Sequence, residues 1–388
     1  MKRIRDPIHG FIIVEDKELP FLSDPVVQRL RRIKQLGFDH YVYPGAVHDR
    51  FSHSLGTLHI ASRIVDSLRL RGIDLPKREI RLAALSHDLG HTPLSHTLEM
   101  FLKEVYGVRH ERYTEAILAG RGREFLEILK ESGLPHNIIS SELDADRMDY
   151  LLRDSYFCGV KYGQFDLDRI IQGIVSIGDE LGVLYKARYA LQSFVLARFQ
   201  MYHQVYMHKT SSAFSVAASK LMKEISEEYP YPTPDEVEAN PDILVKYDDP
   251  RFFELIKELS KQEGMLGKIA YQLLHRRRFK MLYEREITLT HRYTDKPRRY
   301  YEVLKNREEI EKAGGLVHAP EFVPLEPPYK DHSSRLPVLK DTGEIIDIRE
   351  LDPVLDALSS HYTLLIRIYA IEGYEESVKR ILRQLGLT

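Results

Sequence analysis

Residues 78–107 read REIRLAALSHDLGHTPLSHTLEMFLKEVYG. The apolar residues recur at helical spacing, which predicts a helix from Pro76 to about Leu89, an interruption at Gly90 and Pro93, and a second helix from Ser95. The same periodicity covers most of residues 24–228, so the chain is expected to be mainly α. Asp24 and Pro25 supply a cap and a first-turn proline for VVQRLRRIKQLG, a helix expected to stop at Gly37. YVYPGAVHDRFSHS reads as a loop entering a helix that runs to Arg71 and Gly72, and SELDADRMDYLLRDSYF as another helix. IVSIGDELGVLYK alternates about a Gly-Asp-Glu-Leu-Gly turn and predicts a small hairpin. One long helix is expected after it, from about Tyr189 to Glu227.

The Pro-rich stretch YPYPTPDEVEANPD marks the expected boundary, near residue 230. It gives a helical core over 1–230 and a smaller mixed α+β lobe over 231–388. In that lobe, helical segments at 250–284 precede the strand-like pieces EREITLTHRY, RRYYEVL, RLPVLK and EIIDIRE, and a last helix starts at Glu375.

Composition narrows the function. Lys plus Arg number 56 against 58 Asp plus Glu, a formal charge of -2, so no global field draws the chain to nucleic acid or an anionic membrane. No window approaches the ~18 apolar residues of a membrane span. The start MKRIRDPIHGFIIV is not a signal peptide, because Asp6, Pro7 and His9 interrupt any apolar run. Cys158 is the single cysteine, which excludes an internal disulfide framework and a Cys-rich zinc finger and makes a reducing cytoplasm the expected compartment. A metal, if bound, must therefore sit on histidines and carboxylates.

Six of the 17 histidines fall between residues 53 and 110: His53, His59, His87, His91, His96 and His110. His87 and Asp88 are adjacent near a helix end, where both heads can turn toward one point, and imidazole with carboxylate suits a borderline divalent ion. The dipeptide alone says little, since His48 and Asp49 form a second one. Asp146, Asp149, Tyr150, Arg153 and Asp154 follow i, i+3, i+4, i+7, i+8 spacing and line one helix face. That face reads either as a solvated ion-paired surface or as a ligand wall. His53 with His87, Asp88 and a later Asp would make two imidazoles and two carboxylates, leaving positions open for water on a six-coordinate ion. Such an ion lowers the pKa of its water. The HExxH helix of zinc proteases is absent. Arg198, Tyr202 and Tyr206 share one helix face at i, i+4, i+8, as core packing or as a pocket wall.

DPIHG (6–10), QRLRRIKQLG (28–37), YPGAVHDRFSHSLG (43–56), HDLGHTPLSH (87–96), DADRMDYLLRD (144–154) and RFQMYHQVYMHK (198–209) occur in one order along nearly residues 1–210. HRRRFK (275–280) and LLIRIYA near the end add weaker likeness. This ordered set resembles the HD-domain metal-dependent phosphohydrolases, and within them the deoxynucleoside triphosphate triphosphohydrolases, including the vertebrate sterile-alpha-motif-linked enzymes. The resemblance implies an HD-domain helical core and hydrolysis at the α-phosphate to deoxynucleoside and inorganic triphosphate. It implies a divalent cation (Mn, Fe, Co, Zn or Mg) on His53, His87, Asp88 and Asp146, the last chosen over Asp144 because DRMDY matches the family pattern, and a second Mg2+ bridging the phosphates. His96 is implied as general acid with Glu99 orienting it, and His91 and His110 as helpers. Arg50, Arg147, Arg198 and Lys209 are implied at the phosphates, and Gln35, Leu36, Tyr150, Asp154 and Tyr206 at a deoxyribose. Lys2, Gln28, Arg31, Arg169 and Arg276 match an activator-nucleotide site built between subunits, so a homo-oligomer, dimer or tetramer, is implied. Ser23 stands where guanine recognition uses an Asp, a departure from the pattern. Two alternatives stay open: the same centre acting on a monophosphate, a cyclic nucleotide or a single-stranded nucleic acid end, and a nucleotide sensor with incidental hydrolysis.

Overall fold

Asp49 starts the helix from which the site hangs. Its backbone is extended and its side chain accepts from Ser52 N at 2.8 Å, after which the chain is helical over Arg50–Arg69. This computed structural model describes residues 1–290, 298–320, 336–359 and 361–387. Phe51, His53, Leu55, Leu58, Ile60, Ala61, Ile64 and Leu68 are all buried, so the Arg50–Arg69 helix is enclosed on nearly every side. The helices Lys77–Ser86 and Ala145–Cys158 pack against it. Asp144 caps the latter, accepting from Arg147 N and Ser141 N, and Gly159 ends it in the left-handed region at φ 71°.

Gly56 sets how closely two of these helices approach. A Cβ there would lie 1.8 Å from Asp149 Oδ1 and 2.6 Å from Arg153 Nη2, inside a buried ion pair. Gly56→Ala is therefore expected to destabilise the protein by ~1–3 kcal/mol or more, although Ala favours helix. Urea unfolding of the variant checks this, and an unchanged midpoint would mean that the helix pair slides apart at no cost.

The chain is mainly α, with a mixed lobe at its C-terminal end. β1 (Lys2–Asp6) and β2 (Gly10–Val14) form an antiparallel hairpin, and β3 (Ile174–Ile177) pairs with β4 (Glu180–Leu184) as the alternation in sequence suggests. β5 is Lys280–Thr290, so the last three residues of EREITLTHRY lie outside the described residues. It pairs antiparallel with β9 (His361–Ala370), which β6 (Gly315–His318) borders on its other edge. β7 (Pro337–Leu339) joins β4 in parallel and carries β8 (Ile345–Asp347), so distant strands complete the early hairpin. Packing runs on across residue 230: Tyr231, Val237, Leu244, Phe252, Ile256 and Leu273 share one core with the preceding helices. A separate cluster of Tyr300, Val303, Ile310, Ile366, Ile368, Val378 and Leu382 lies under the β5-β9-β6 sheet.

Four local expectations are corrected, and in one of them the helical stretch expected over 250–284 ends at Leu274 and gives way to strand from Lys280. The helix begun at Pro25 ends at Arg29, tightens to a 3-10 turn over Leu30–Arg32 and is extended at Ile33. Tertiary partners take the backbone there: Lys34 N donates to Asp249 Oδ2, Gln35 N to the His48 carbonyl, and Arg50 N to the Ile33 carbonyl. The long helix after the hairpin is two, Arg188–Met201 and Lys209–Glu224, divided by a π turn over Tyr202–Tyr206. The piece RRYYEVL is helical over Arg298–Lys305, because Tyr300 and Val303 dip together into the second core.

Candidate metal centre

His53 lies in the first turns of the central helix, His87 closes the Lys77–Ser86 helix with Asp88 next in chain, and Asp146 stands in the first turn of Ala145–Cys158. Asp146 Oδ1 is 3.0 Å from His53 Nε2 and 3.5 Å from His87 Nε2. Asp88 offers Oδ1 at 3.3 Å from His87 Nε2 and Oδ2 at 3.6 Å from His53 Nε2. The ligand atoms of His53, His87 and Asp88 lie within 4.8 Å of one another.

The outer nitrogens fix which lone pairs face inward. His87 Nδ1 donates to the Ala84 carbonyl at 2.7 Å, leaving a buried Nε2 with no hydrogen-bond partner. His53 Nδ1 donates to Asp149 Oδ2 at 2.8 Å. Neutral imidazoles held this way point acceptors at acceptors, which is repulsive unless a cation stands between them. Without one the protein recruits a proton: burial opposes the His53 cation, but hydrogen bonds to Asp146 and Asp149 outweigh it and raise its pKa to about 10. Burial likewise opposes ionisation of Asp146, yet its bond to His53 and the nearby His87 imidazole hold it well below the usual carboxylate range. The donor set therefore fits a divalent ion of borderline softness. Mn2+ at ~100 times its Kd is expected to stabilise the fold by ~2.7 kcal/mol. That rise in unfolding midpoint should vanish with a chelator and be missing in His87→Ala.

A second group adjoins the first. His91 Nε2 is 3.3 Å from Asp88 Oδ1, and its ring stacks on His110 at 3.7 Å between centroids. Glu99 accepts from His110 Nδ1 at 3.0 Å and lies 3.4 Å from His96 Nδ1, so one carboxylate organises two imidazoles. The His96 side chain is 67% exposed, on the open side of the cluster. It follows Leu94 and Ser95, both left-handed at φ 58° and 57°, a strain of ~1–3 kcal/mol each. Neighbours hold that turn: Leu94 N donates to Asp249 Oδ1, Ser95 Oγ to the Lys34 carbonyl, and Arg50 Nε to Ser95 Oγ. Buried Arg29 fixes the chain just before it by donating to the Leu89 and His91 carbonyls at 3.2 and 2.7 Å.

The residues expected at phosphates divide. Arg50 is buried, with Nη1 paired to Asp88, so its charge serves the metal set directly. Arg147 pairs with Asp144, and Arg198 donates to Glu142 Oε2 at 2.7 Å. Lys209 is exposed at the start of its helix. Among the residues expected at the sugar, Asp154 accepts from the Tyr206 hydroxyl at 2.8 Å, and Tyr150 lies edge-on between Tyr206 and His53, at 6.1 and 6.5 Å. Gln35 is buried, and Leu36 is half-buried beside it. Gln28 accepts from Arg31 Nε at 2.8 Å, while Lys2 is in β1, Arg169 in the Leu167–Gly173 helix and Arg276 in a turn at φ 52°. Sequence reasoning missed His9, whose Nε2 is 2.6 Å from Asp149 Oδ1, and missed Glu142 and His48. DPIHG was the available signal for His9 and YPGAVHDRFSHSLG for His48, and nothing local marked Glu142.

Helices that bring two imidazoles and two carboxylates onto one point, beside a His/Glu cluster, define a His-Asp metal-centre protein. The chain belongs to the HD-domain family: the HD domain matches residues 50–154, and the HD associated region matches residues 165–387. An uncharacterized protein of Methanocaldococcus jannaschii is 42% identical over 234 residues, 58% of this chain and 51% of that protein. A deoxynucleoside triphosphate triphosphohydrolase SAMHD1 homolog of Dictyostelium discoideum is 30% identical over 247 residues, 55% of this chain and 47% of that protein. The chain spans about half the length of the curated relatives it matches. A crystal structure of a phosphohydrolase from Bacteroides thetaiotaomicron superposes with a TM-score of 0.77 at 26% identity, covering 96% of this chain and 100% of that one. Among the described residues, no helix is long and apolar enough to cross a membrane.

Proposed function

We propose that this chain is a metal-dependent phosphohydrolase that cleaves deoxynucleoside triphosphates at the α-phosphate, releasing deoxynucleoside and inorganic triphosphate. The observation that carries the reading is the convergence of His53, His87, Asp88 and Asp146 next to the His91, His96, Glu99 and His110 cluster. Relatives named as deoxynucleoside triphosphate triphosphohydrolases support the substrate class. A divalent cation held by His53, His87, Asp88 and Asp146 would supply Lewis acidity, lowering the pKa of water and drawing charge from a phosphoryl oxygen. His96, on the open side, gives its proton to the departing 5′ oxygen, and Glu99 orients it. A polyphosphate tail bound by Arg147 and Arg198 would compete with Asp144 and Glu142 for them. A second cation, Mg2+, would ride in on the phosphates. By the same family likeness, Lys2, Gln28, Arg31, Arg169 and Arg276 would form an activator-nucleotide site between subunits of a cytoplasmic homo-oligomer.

Protein given Mn2+, Mg2+, Fe2+ or Co2+ in turn is incubated with each dNTP, and the products are separated. Deoxynucleoside plus triphosphate is expected, whereas dNMP plus pyrophosphate would defeat the bond assignment. The pairing of both arginines within the chain favours one competing reading, a substrate with a single phosphate. Faster turnover of a monophosphate or cyclic nucleotide would decide for it.

A further inference from the structure

Glu99 and the two imidazoles it touches have the spacing of a ligand set of their own. His96 lies in the 3-10 turn Ser95–Leu98, Glu99 opens the short turn Glu99–Phe101, and His110 starts the helix His110–Arg121. Glu99 Oε2 is 3.0 Å from His110 Nδ1 and 3.4 Å from His96 Nδ1. Bonds of ~2.0–2.2 Å from a tetrahedral ion to nitrogen and carboxylate oxygen put neighbouring ligand atoms ~3.3–3.6 Å apart, close to both spacings. The His96 and His110 rings cross at 79°, so they reach the carboxylate in different planes, as two ligands of one ion do. One ligand atom from each of His91, His96, Glu99 and His110 lies within 4.8 Å of the others. His91 is buried, stacks on His110 and has an Nδ1 with no hydrogen-bond partner, which puts a further nitrogen at hand.

This set differs in kind from the one formed by His53, His87, Asp88 and Asp146. Imidazoles outnumber carboxylates in it, and that balance selects Zn2+ over Mg2+ and Mn2+. The His96 side chain is 67% exposed, so an ion reaches it from solvent and water fills the open position. Burial opposes ionisation of Glu99, but the His110 and His96 imidazoles hold it well below the usual carboxylate range, so the ligand is charged when the ion arrives. Ligation changes what His96 can do. A ring bound through Nδ1 keeps hydrogen only on Nε2, and releasing it would leave an imidazolate, so the ring no longer serves as an acid toward a departing oxygen.

We propose that His96, Glu99 and His110, with His91 beside them, form a second protein-built metal site that takes Zn2+ and stops turnover when filled. The binding stands by itself, whereas the inhibition rests on the phosphohydrolase reading of His96 as the acid. Zinc is measured first on His87→Ala, which lacks the other site, by equilibrium dialysis and metal analysis. Co2+ serves as a visible probe, because four-coordinate Co2+ absorbs far more strongly than six-coordinate Co2+. A single Zn2+ per chain and a strong Co2+ band are expected. Adding His96→Ala, at an exposed position, should abolish the band and weaken Zn2+ by more than the ~10–100-fold that losing an outer partner costs. The same comparison is made without His87→Ala, where His96→Ala should remove one zinc of two. Zinc content and affinity indifferent to His96→Ala in both backgrounds overturn the site. Mn2+-loaded wild type hydrolysing dNTPs in excess Mn2+ should slow ~100-fold or more as Zn2+ is added, the share of a general acid, with its Mn2+ still bound. Loss of Mn2+ in step with the rate, or zinc bound through His96 at an unchanged rate, overturns the inhibition. Protein that binds zinc through His96 yet releases no triphosphate from dNTPs keeps the site and removes the reaction, so the two failures separate.

Discussion

Asp146→Asn is expected to lower turnover by ~1,000-fold, about 4 kcal/mol of barrier, and to leave purified protein short of metal while it stays folded. Asp146 Oδ1 lies within reach of both inward-facing nitrogens, 3.0 Å from His53 Nε2 and 3.5 Å from His87 Nε2. An amide there takes one negative charge from the set and can turn hydrogens toward two lone pairs. Asp144→Ala is the matching control. Asp144 is fully buried, caps the same helix through Arg147 N and Ser141 N, and pairs with the Arg147 guanidinium. Its loss should cost ~3–5 kcal/mol of stability, because it removes a helix cap and leaves the buried Arg147 guanidinium without this carboxylate, with metal content close to wild type. Metal analysis, a dNTP assay and denaturant unfolding on both variants separate the roles. Metal retained by Asp146→Asn and lost by Asp144→Ala would reverse the assignment.

That pair of acids shows where local sequence ends. Spacing alone leaves Asp144 and Asp146 equal, and motif resemblance favours the second. The physical difference is that Asp144 has extended backbone at φ -122° and turns back onto the helix it starts, whereas Asp146 is already helical and projects across to His53 and His87. The helix start at Asp24 is legible because a cap is a local hydrogen bond, whereas Asp49 and Asp144, which cap in the same way, sit in tracts read only as a loop entering a helix and as one longer helix. The end of the first of these helices is not, because Asp249 and His48, far along the chain, take the backbone of residues 34 and 35. The π turn at Tyr202–Tyr206 likewise leaves the apolar period nearly intact while adding a residue to the turn. His9 is 140 positions from Asp149, and only folding reveals that they touch.

The largest combined effect on metal and fold is expected at Asp149, which the helix-face pattern could place beside Asp146 but could not distinguish from it. Asp149 is fully buried and accepts four hydrogen bonds: from His9 Nε2 at 2.6 Å, His53 Nδ1 at 2.8 Å, and Arg153 Nε and Nη2 at 2.8 and 2.9 Å. Burial works against its ionised form, but Arg153 and the two imidazoles hold its pKa well below the usual range. In Asp149→Asn, one oxygen becomes an NH2 facing donors in either orientation. If it meets His53, that ring must accept at Nδ1 and carry its hydrogen on Nε2, where the metal should bind. Metal affinity is therefore expected to fall ~10–100-fold, the usual effect of losing such an outer partner. Weakening the Arg153 pair should cost ~3–5 kcal/mol of stability. Asp6→Asn provides the contrast, since Asp6 meets Arg153 Nη1 at 2.8 Å and caps Ile8 N and His9 N, all without touching His53. It should lose stability and keep Mn2+ affinity within ~3-fold of wild type, because none of its contacts is to a group that would ligate the ion. Calorimetric Mn2+ titration of the two variants, with urea unfolding alongside, decides the matter: equal affinities would mean that Asp149 braces the helices and has no hand in choosing the His53 tautomer.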